Sequence, residues 1–245
     1  MRTNGHTILA SPPVDRATAA GGTYTVRQGN LIRVALVPGR PPVRSSVPRV
    51  SDRDGDPATR LSVGLCLLVA VALFGALVAG SGSPTPLDHL GFALVPASQN
   101  GLWRAVAKLG STVVLIAGCG LVAVVALARG RRRWTLTIAT CLVAPALAVG
   151  AAELAKGVVG RRLSDVPCYP SGTVAVIAVV AAAAALAARG PARAALSVLG
   201  GVAVVMVAVA VVALRWHYPT DAVAGAALGI GSVLVADGLF GLLTR

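Results

Sequence analysis

Three short polar stretches carry the residues best suited to chemistry: Lys156–Arg162, Tyr169–Thr173 and Arg215–Asp221. The first offers a compact ammonium at Lys156 and two planar forks, Arg161 and Arg162, whose geometry matches phosphate oxygens. The plainer reading of these cations is snorkelling to a membrane interface. Glu153 lies one helical turn before Lys156 and is placed to pair with it. The second stretch, Tyr169-Pro170-Ser171-Gly172-Thr173, opens an apolar run. A helix starting there presents free N–H groups to an anion, and the hydroxyls of Ser171 and Thr173 add donors. An ordinary serine cap explains the same residues. The third stretch holds Arg215, His217 and Asp221. His217 and Asp221 are four residues apart, spaced to meet across one turn. A carboxylate on one imidazole nitrogen fixes the tautomer and frees the other nitrogen to attack or to move a proton. Taken together, these residues could grip a phosphoryl group and attack it.

The elements that must position them belong to a membrane protein. Of 245 residues, 56% are hydrophobic and only 13% charged, with a mean hydropathy of +0.78. A soluble domain is nearer ~25% charged. The formal charge of +13 invites a nucleic-acid reading, but the arginines form no single face or helix. They sit in the N-terminal tail and between apolar runs, where they set membrane topology. Cys66, Cys119 and Cys141 lie inside apolar runs, and Cys168 stands alone in a polar stretch. No cysteine pair has metal-ligand spacing, and no disulfide framework is suggested; no cofactor is assigned from the sequence.

Residues 1–60 hold nine arginines, four aspartates and many Pro, Gly, Ser and Thr. This composition predicts a disordered cytoplasmic tail. Its arginines have several readings: contact with anionic lipid, retention of the tail inside, or a start site further along the chain. After Arg60, apolar runs at about 61–80, 108–128, 134–155, 173–189, 194–214 and 222–243 predict an all-α bundle of six transmembrane helices. The run at 173–189 is the shortest and is rich in alanine. Gly225 and Gly229, spaced G-x-x-x-G, suit close helix packing within the bundle. Asp237 near the end of the last run is expected to form a structural pair with a cytoplasmic arginine.

Charge orients the bundle. Arg129, Arg131, Arg132 and Arg133 crowd one connector, and Arg189 and Arg193 flank another. Positive residues favour the cytoplasmic side, which places both termini inside and the three polar stretches outside. The long connector 81–107 also faces outward, with an amphipathic segment on the membrane surface. Asp88 and His89 within it read as interfacial residues, or as ligand contacts.

Order and spacing of the three stretches resemble the type 2 phosphatidic acid phosphatase (PAP2) superfamily of integral membrane lipid phosphatases. Its motifs run K-x6-R-P, P-S-G-H and S-R-x5-H-x3-D, and the resemblance covers about residues 61–243. It implies a six-helix bundle, a site at the outer leaflet, a phospho-histidine intermediate and no metal. It further implies His217 as nucleophile, Asp221 as its orienting acid, and Lys156, Ser171 and Gly172 as phosphate-holding residues. Arg161 matches an extra arginine that many members carry at Lys-x4-Arg. The chain departs from the pattern elsewhere. The first-motif Arg-Pro falls on Leu163-Ser164, the second-motif histidine on Thr173, and the third-motif Ser-Arg on Ala210-Val211. Arg215 is a candidate to fill the last gap.

These departures shape the functional expectation. Threonine cannot donate a proton near neutral pH, and a missing general acid lowers the rate by about 10²–10⁴-fold. That loss weighs least when the leaving group is itself a phosphate. The sequence therefore predicts a plasma-membrane lipid phosphatase acting at the extracytoplasmic face on a lipid phosphate or, by preference, a lipid pyrophosphate. Its partners are the bilayer and that lipid, not nucleic acid. The alternative is a catalytically impaired relative that binds phospholipid or a partner protein. A small transporter lacks support, since no broken helix or acid-lined path is visible at mid-membrane.

Overall fold

The computed structural model describes residues 25–28, 31–34, 55–130 and 134–244. Two compact units divide the chain, residues 1–53 and 54–245. In the first, strands β1 (Thr25–Gln28) and β2 (Leu31–Val34) pair antiparallel, Thr25 opposite Val34 and Gln28 opposite Leu31. The expectation of a disordered tail otherwise falls outside the described residues. So does the arginine cluster at 131–133.

The second unit is helical. Helix α1 (Pro57–Leu77) begins four residues before the boundary expected at 61, with Pro57 at its first turn, where a missing N–H costs nothing. The connector after it folds into α2 (Pro86–Leu94) and α3 (Gly101–Ala107), followed by a 3₁₀ turn at Lys108–Gly110. Then come α4 (Thr112–Ala128) and α5 (Trp134–Val159). A two-residue hairpin follows, β3 (Arg162–Leu163) against β4 (Val166–Pro167). The bundle ends with α6 (Gly172–Ala187), α7 (Gly190–Ala213) and α8 (Pro219–Leu243). Each apolar run foreseen in the sequence falls on a helix, though the one from 108 is broken at its start.

Four of these helices, α1, α5, α7 and α8, are long and apolar enough to cross a bilayer. A fifth crossing requires α3 with its 3₁₀ turn to join α4, and the two are bent by 49°. The run expected to be continuous from 108 is therefore broken, with Ser111 capping α4 by accepting from Val114 N at 3.4 Å. Helix α6 has 16 residues, about 24 Å at 1.5 Å per residue, against a hydrocarbon core of ~30 Å. Four or five helices thus reach spanning length where six crossings were expected, and α6, on the run expected to be shortest, falls below it.

Helix α6 is nonetheless the centre of the bundle. Val174–Val179 are all buried, and α4, α5, α7 and α8 all pack against it. Lipid provides no hydrophobic drive for helix association, so close approach of small residues must do it. A Cβ at Gly229 of α8 would lie 2.4 Å from the Ala175 carbonyl, and one at Gly225 would lie 2.3 Å from the Ser171 carbonyl. Both glycines of the G-x-x-x-G pair therefore seat α8 on α6. Gly200 of α7 meets Ala181 in the same way. At one end of the bundle Arg60 of α1 pairs with Asp237 of α8, half-buried.

Candidate active site

The opposite end gathers all three polar stretches. Helix α5 delivers Lys156 in its last turn. Gly160, at a φ of 61°, turns the chain out of the helix. The hairpin after it reverses through Ser164 and Asp165, both left-handed, and leads back to the start of α6. Ser171 caps α6, its Oγ accepting from Val174 N at 3.4 Å. Helices α7 and α8 are joined by 214–218, which carries Arg215, Trp216 and His217. Backbone bonds tie the ends together: Ser171 N donates to Asp221 O at 3.0 Å, and Gly80 N to Val159 O at 2.7 Å.

His217 is half-buried. Its Nδ1 lies 2.8 Å from the carbonyl oxygen of Cys168. A carbonyl only accepts, so Nδ1 carries the proton and Nε2 holds the lone pair. The expected His217–Asp221 contact is replaced by this bond. The tautomer is the one a carboxylate would select, but a neutral carbonyl stabilises an imidazolium less. Burial holds His217 down to about 4 from an ordinary 6.5; the Cys168 carbonyl opposes this, and the nearby Lys156 charge adds to it. The ring is thereby held in its neutral form at neutral pH.

Asp221 is turned the other way. One oxygen accepts from Arg161 Nη1 at 2.6 Å, and the other accepts from Tyr218 N at 3.1 Å, capping α8. Arg161 is 1% exposed. Its Nη1 also donates to Thr220 Oγ1 at 2.8 Å, and its Nη2 donates to Asp88 at 2.5 Å. The Tyr218 ring covers the guanidinium at 4.1 Å. Burial works against the Arg161 charge, but Asp221 and Asp88 raise its affinity for the proton above the usual arginine value. Both Nη groups of Arg161, expected to grip phosphate, are engaged by Asp221, Thr220 and Asp88, while its buried Nε has no acceptor.

Asp88, expected at the interface or against a ligand, is instead fully buried. It accepts from Arg161, from Thr220 N at 3.0 Å and Oγ1 at 2.7 Å, and from Thr85 N and Oγ1, each at 2.8 Å. Burial opposes its ionisation, but these bonds hold it below the usual carboxylate range. The signal that could have found it is Thr85-Pro86-Leu87-Asp88, a capping-box spacing that fixes the start of α2. Cys168 is likewise fully buried. Its role comes from its backbone carbonyl, and no side-chain motif could have disclosed it.

The remaining expected residues divide. Lys156 Nζ pairs with Glu153 at 2.6 Å and stands 3.8 Å from where a Gly172 Cβ would be. Lys156, the α6 N-terminus and His217 are therefore neighbours. Among the described residues, the Gly172 and Thr173 N–H groups have no protein acceptor, as expected for a first helical turn. Arg162 is exposed on the hairpin, donating to its own turn at Asp165 O, 3.3 Å away. The Thr173 methyl and carbonyl pack against Gly110. Arg215 lies over the Phe92 ring at 4.0 Å, with its Nη1 buried and without an acceptor. Among the described residues no cluster of His, Cys, Asp and Glu could hold a metal ion.

Residues 159–239 match the family model of the PAP2 superfamily. The structure is similar to the crystal structure of the first transmembrane PAP2-type phosphatidylglycerolphosphate phosphatase from Bacillus subtilis. The TM-score is 0.59 at 18% identity, covering 74% of this chain and 98% of that one. No curated protein matches the chain. Arg161, Ser171, Gly172, His217 and Asp221 fall inside the matched segment, and Lys156 lies just before it. The segment 159–239 is thus similar to the PAP2 superfamily, and the chain shares the multi-pass helical fold of that membrane protein.

Proposed function

We propose that this protein is a membrane lipid phosphatase that prefers lipid pyrophosphates and works through a phospho-histidine at the extracytoplasmic face of the plasma membrane. The observation that carries the reading is His217: a neutral imidazole with Nδ1 held by a carbonyl, beside Lys156 and the first-turn N–H groups of α6. The phosphoryl group sits on the Gly172 and Thr173 N–H groups, with Lys156 and Arg215 balancing its charge. Ser171 shapes this cradle as the cap. The Nε2 lone pair of His217 attacks phosphorus, and the bond from phosphorus to the leaving oxygen breaks. Water then cleaves the N–P bond, releasing inorganic phosphate and restoring His217.

Asp221 acts in this scheme as an anchor for Arg161 and a cap for α8, so it shapes the loop bearing His217 without touching the ring. Thr173 offers no acid, so the leaving group departs unprotonated. A lipid phosphate leaves readily on those terms and an alkoxide does not.

The same geometry favours a second reading. With Asp221 neutralised by Arg161, the imidazolium formed during turnover lacks a carboxylate partner, which suits an impaired relative that binds phospholipid. Phosphate release from a polyprenyl pyrophosphate and from phosphatidate, measured in detergent beside His217→Ala, separates the two. We expect the pyrophosphate to be turned over at least about tenfold faster, given the weight of a missing acid. Release equal to that of His217→Ala on every lipid would leave only the binder.

A further inference from the structure

Helix α2 belongs to none of the three polar stretches, yet it touches Arg215, Tyr218, Pro219 and Thr220, which flank His217 on both sides. Asp88 accepts from the Thr220 backbone and hydroxyl. Gly91 lies so close to Pro219 that a Cβ would meet its ring at 2.5 Å. Phe92 packs on Tyr218, ring centroids 5.9 Å apart, and carries the Arg215 guanidinium on its face at 4.0 Å. Asp88 and Phe92 are four residues apart and so share one face of the helix. Leu87, Leu90 and Leu94 on the other side are exposed, suited to lipid.

We infer that α2 is a positioning element for the reaction proposed above: Asp88, Gly91 and Phe92 splint the loop that presents His217 and hold Arg215 ready for a phosphoryl oxygen. Two features of Arg215 go beyond packing. Its φ of 56° is a left-handed conformation that strains a residue with a side chain. Bonds from Arg215 N to Val212 O and from Trp216 N to Val211 O, both 3.0 Å, hold it there. Its Nη1 is buried without an acceptor, an arrangement that wants a partner. Stacking on Phe92 uses the guanidinium face and leaves the in-plane N–H groups to bind an anion. Arg215 thereby supplies from the α7–α8 turn a cation that Val211, one turn earlier, cannot.

The inference rests on the phosphatase reading, and the test separates the two. Phosphate release from a polyprenyl pyrophosphate is measured for the full chain, His217→Ala, Phe92→Leu, Phe92→Tyr and Asp88→Asn, with orthovanadate as a competing anion. Phe92→Leu keeps apolar bulk but loses the ring face. It is expected to raise KM and the vanadate inhibition constant together, roughly three- to thirtyfold. Phe92→Tyr should behave as the unaltered protein. Asp88→Asn should lower kcat about 10- to 100-fold through a displaced nucleophile. If that variant fails to fold, the Phe92 pair decides alone. An unaltered protein no more active than His217→Ala removes the phosphatase reading and this inference with it. Robust activity with Phe92→Leu and Phe92→Tyr indistinguishable in KM and vanadate inhibition leaves the phosphatase standing and reduces α2 to packing.

Discussion

Arg161 carries one positive charge between two buried carboxylates, Asp88 and Asp221, each with a fully buried side chain. Removing one partner of such a cluster leaves the others uncompensated in a dry site. Arg161→Ala is expected to destabilise the protein by about 3–5 kcal/mol, read as a lowered unfolding midpoint in detergent. A midpoint like that of the unaltered protein would mean that the cluster is not closed as described. His217 offers a second residue-scale prediction. Only the neutral ring attacks, and burial with the Lys156 charge holds its proton affinity down to about 4. Activity should therefore survive acidification through 6.5 and fail only toward 4. Removing the cation raises the affinity, so Lys156→Gln should move the acid limb of kcat/KM to higher pH. The displacement, rather than the absolute midpoint, isolates His217, since the lipid's own ionisation is common to both proteins. An acid limb that stays put would place Lys156 away from the ring.

At the scale of elements, the site depends on how closely α8 lies on α6. Gly225 and Gly229 let the α8 backbone approach the first turns of α6, so the start of α8, with Asp221, lies beside Ser171. Gly229→Ala puts a methyl group 2.4 Å from a backbone carbonyl, which cannot swing aside as a side chain could. We expect a loss of about 1–3 kcal/mol from overpacking, with lower activity because the two helix starts separate. A Cβ at Gly201 of α7 would meet nothing within 4 Å, so Gly201→Ala serves as the control and should be neutral or mildly stabilising through helix propensity. Equal effects from the two substitutions would argue against backbone contact as the reason for Gly229.

Across the whole molecule, hydrogen bonds and ion pairs bring the polar stretches to one end, and the Arg60–Asp237 pair marks the other. Arg129, at the end of α4, and Arg189, at the start of α7, lie at helix ends opposite to those that carry Lys156 and His217, a distribution that favours the outward-facing site proposed above. Trp216 is exposed beside His217. A cysteine placed there by Trp216→Cys should react with a membrane-impermeant maleimide on intact cells. Labelling only after the membrane is opened would put the site on the cytoplasmic side. Beneath the same end, an apolar cavity of about 450 Å³ opens between α1 and α8, lined by Val71, Phe74, Tyr169 and Val223 among others.

Sequence alone determined the membrane class, the all-α architecture with its apolar helices, and the stretches that meet at one end. Those properties follow from hydropathy, charge and local spacing, which each segment carries by itself. It also led correctly to the packing role of Gly225 and Gly229 and to the structural pairing of Asp237. Only the folded chain decided who partners whom. Asp221 and His217 have the right spacing, yet Asp221 faces Arg161 because a buried guanidinium needs carboxylates more than a neutral ring does. Asp88 comes from a connector about seventy residues before Arg161 in the chain, and the Cys168 contribution is a backbone carbonyl. Contacts of that kind depend on distant stretches meeting in space, and no local pattern of residue types encodes them.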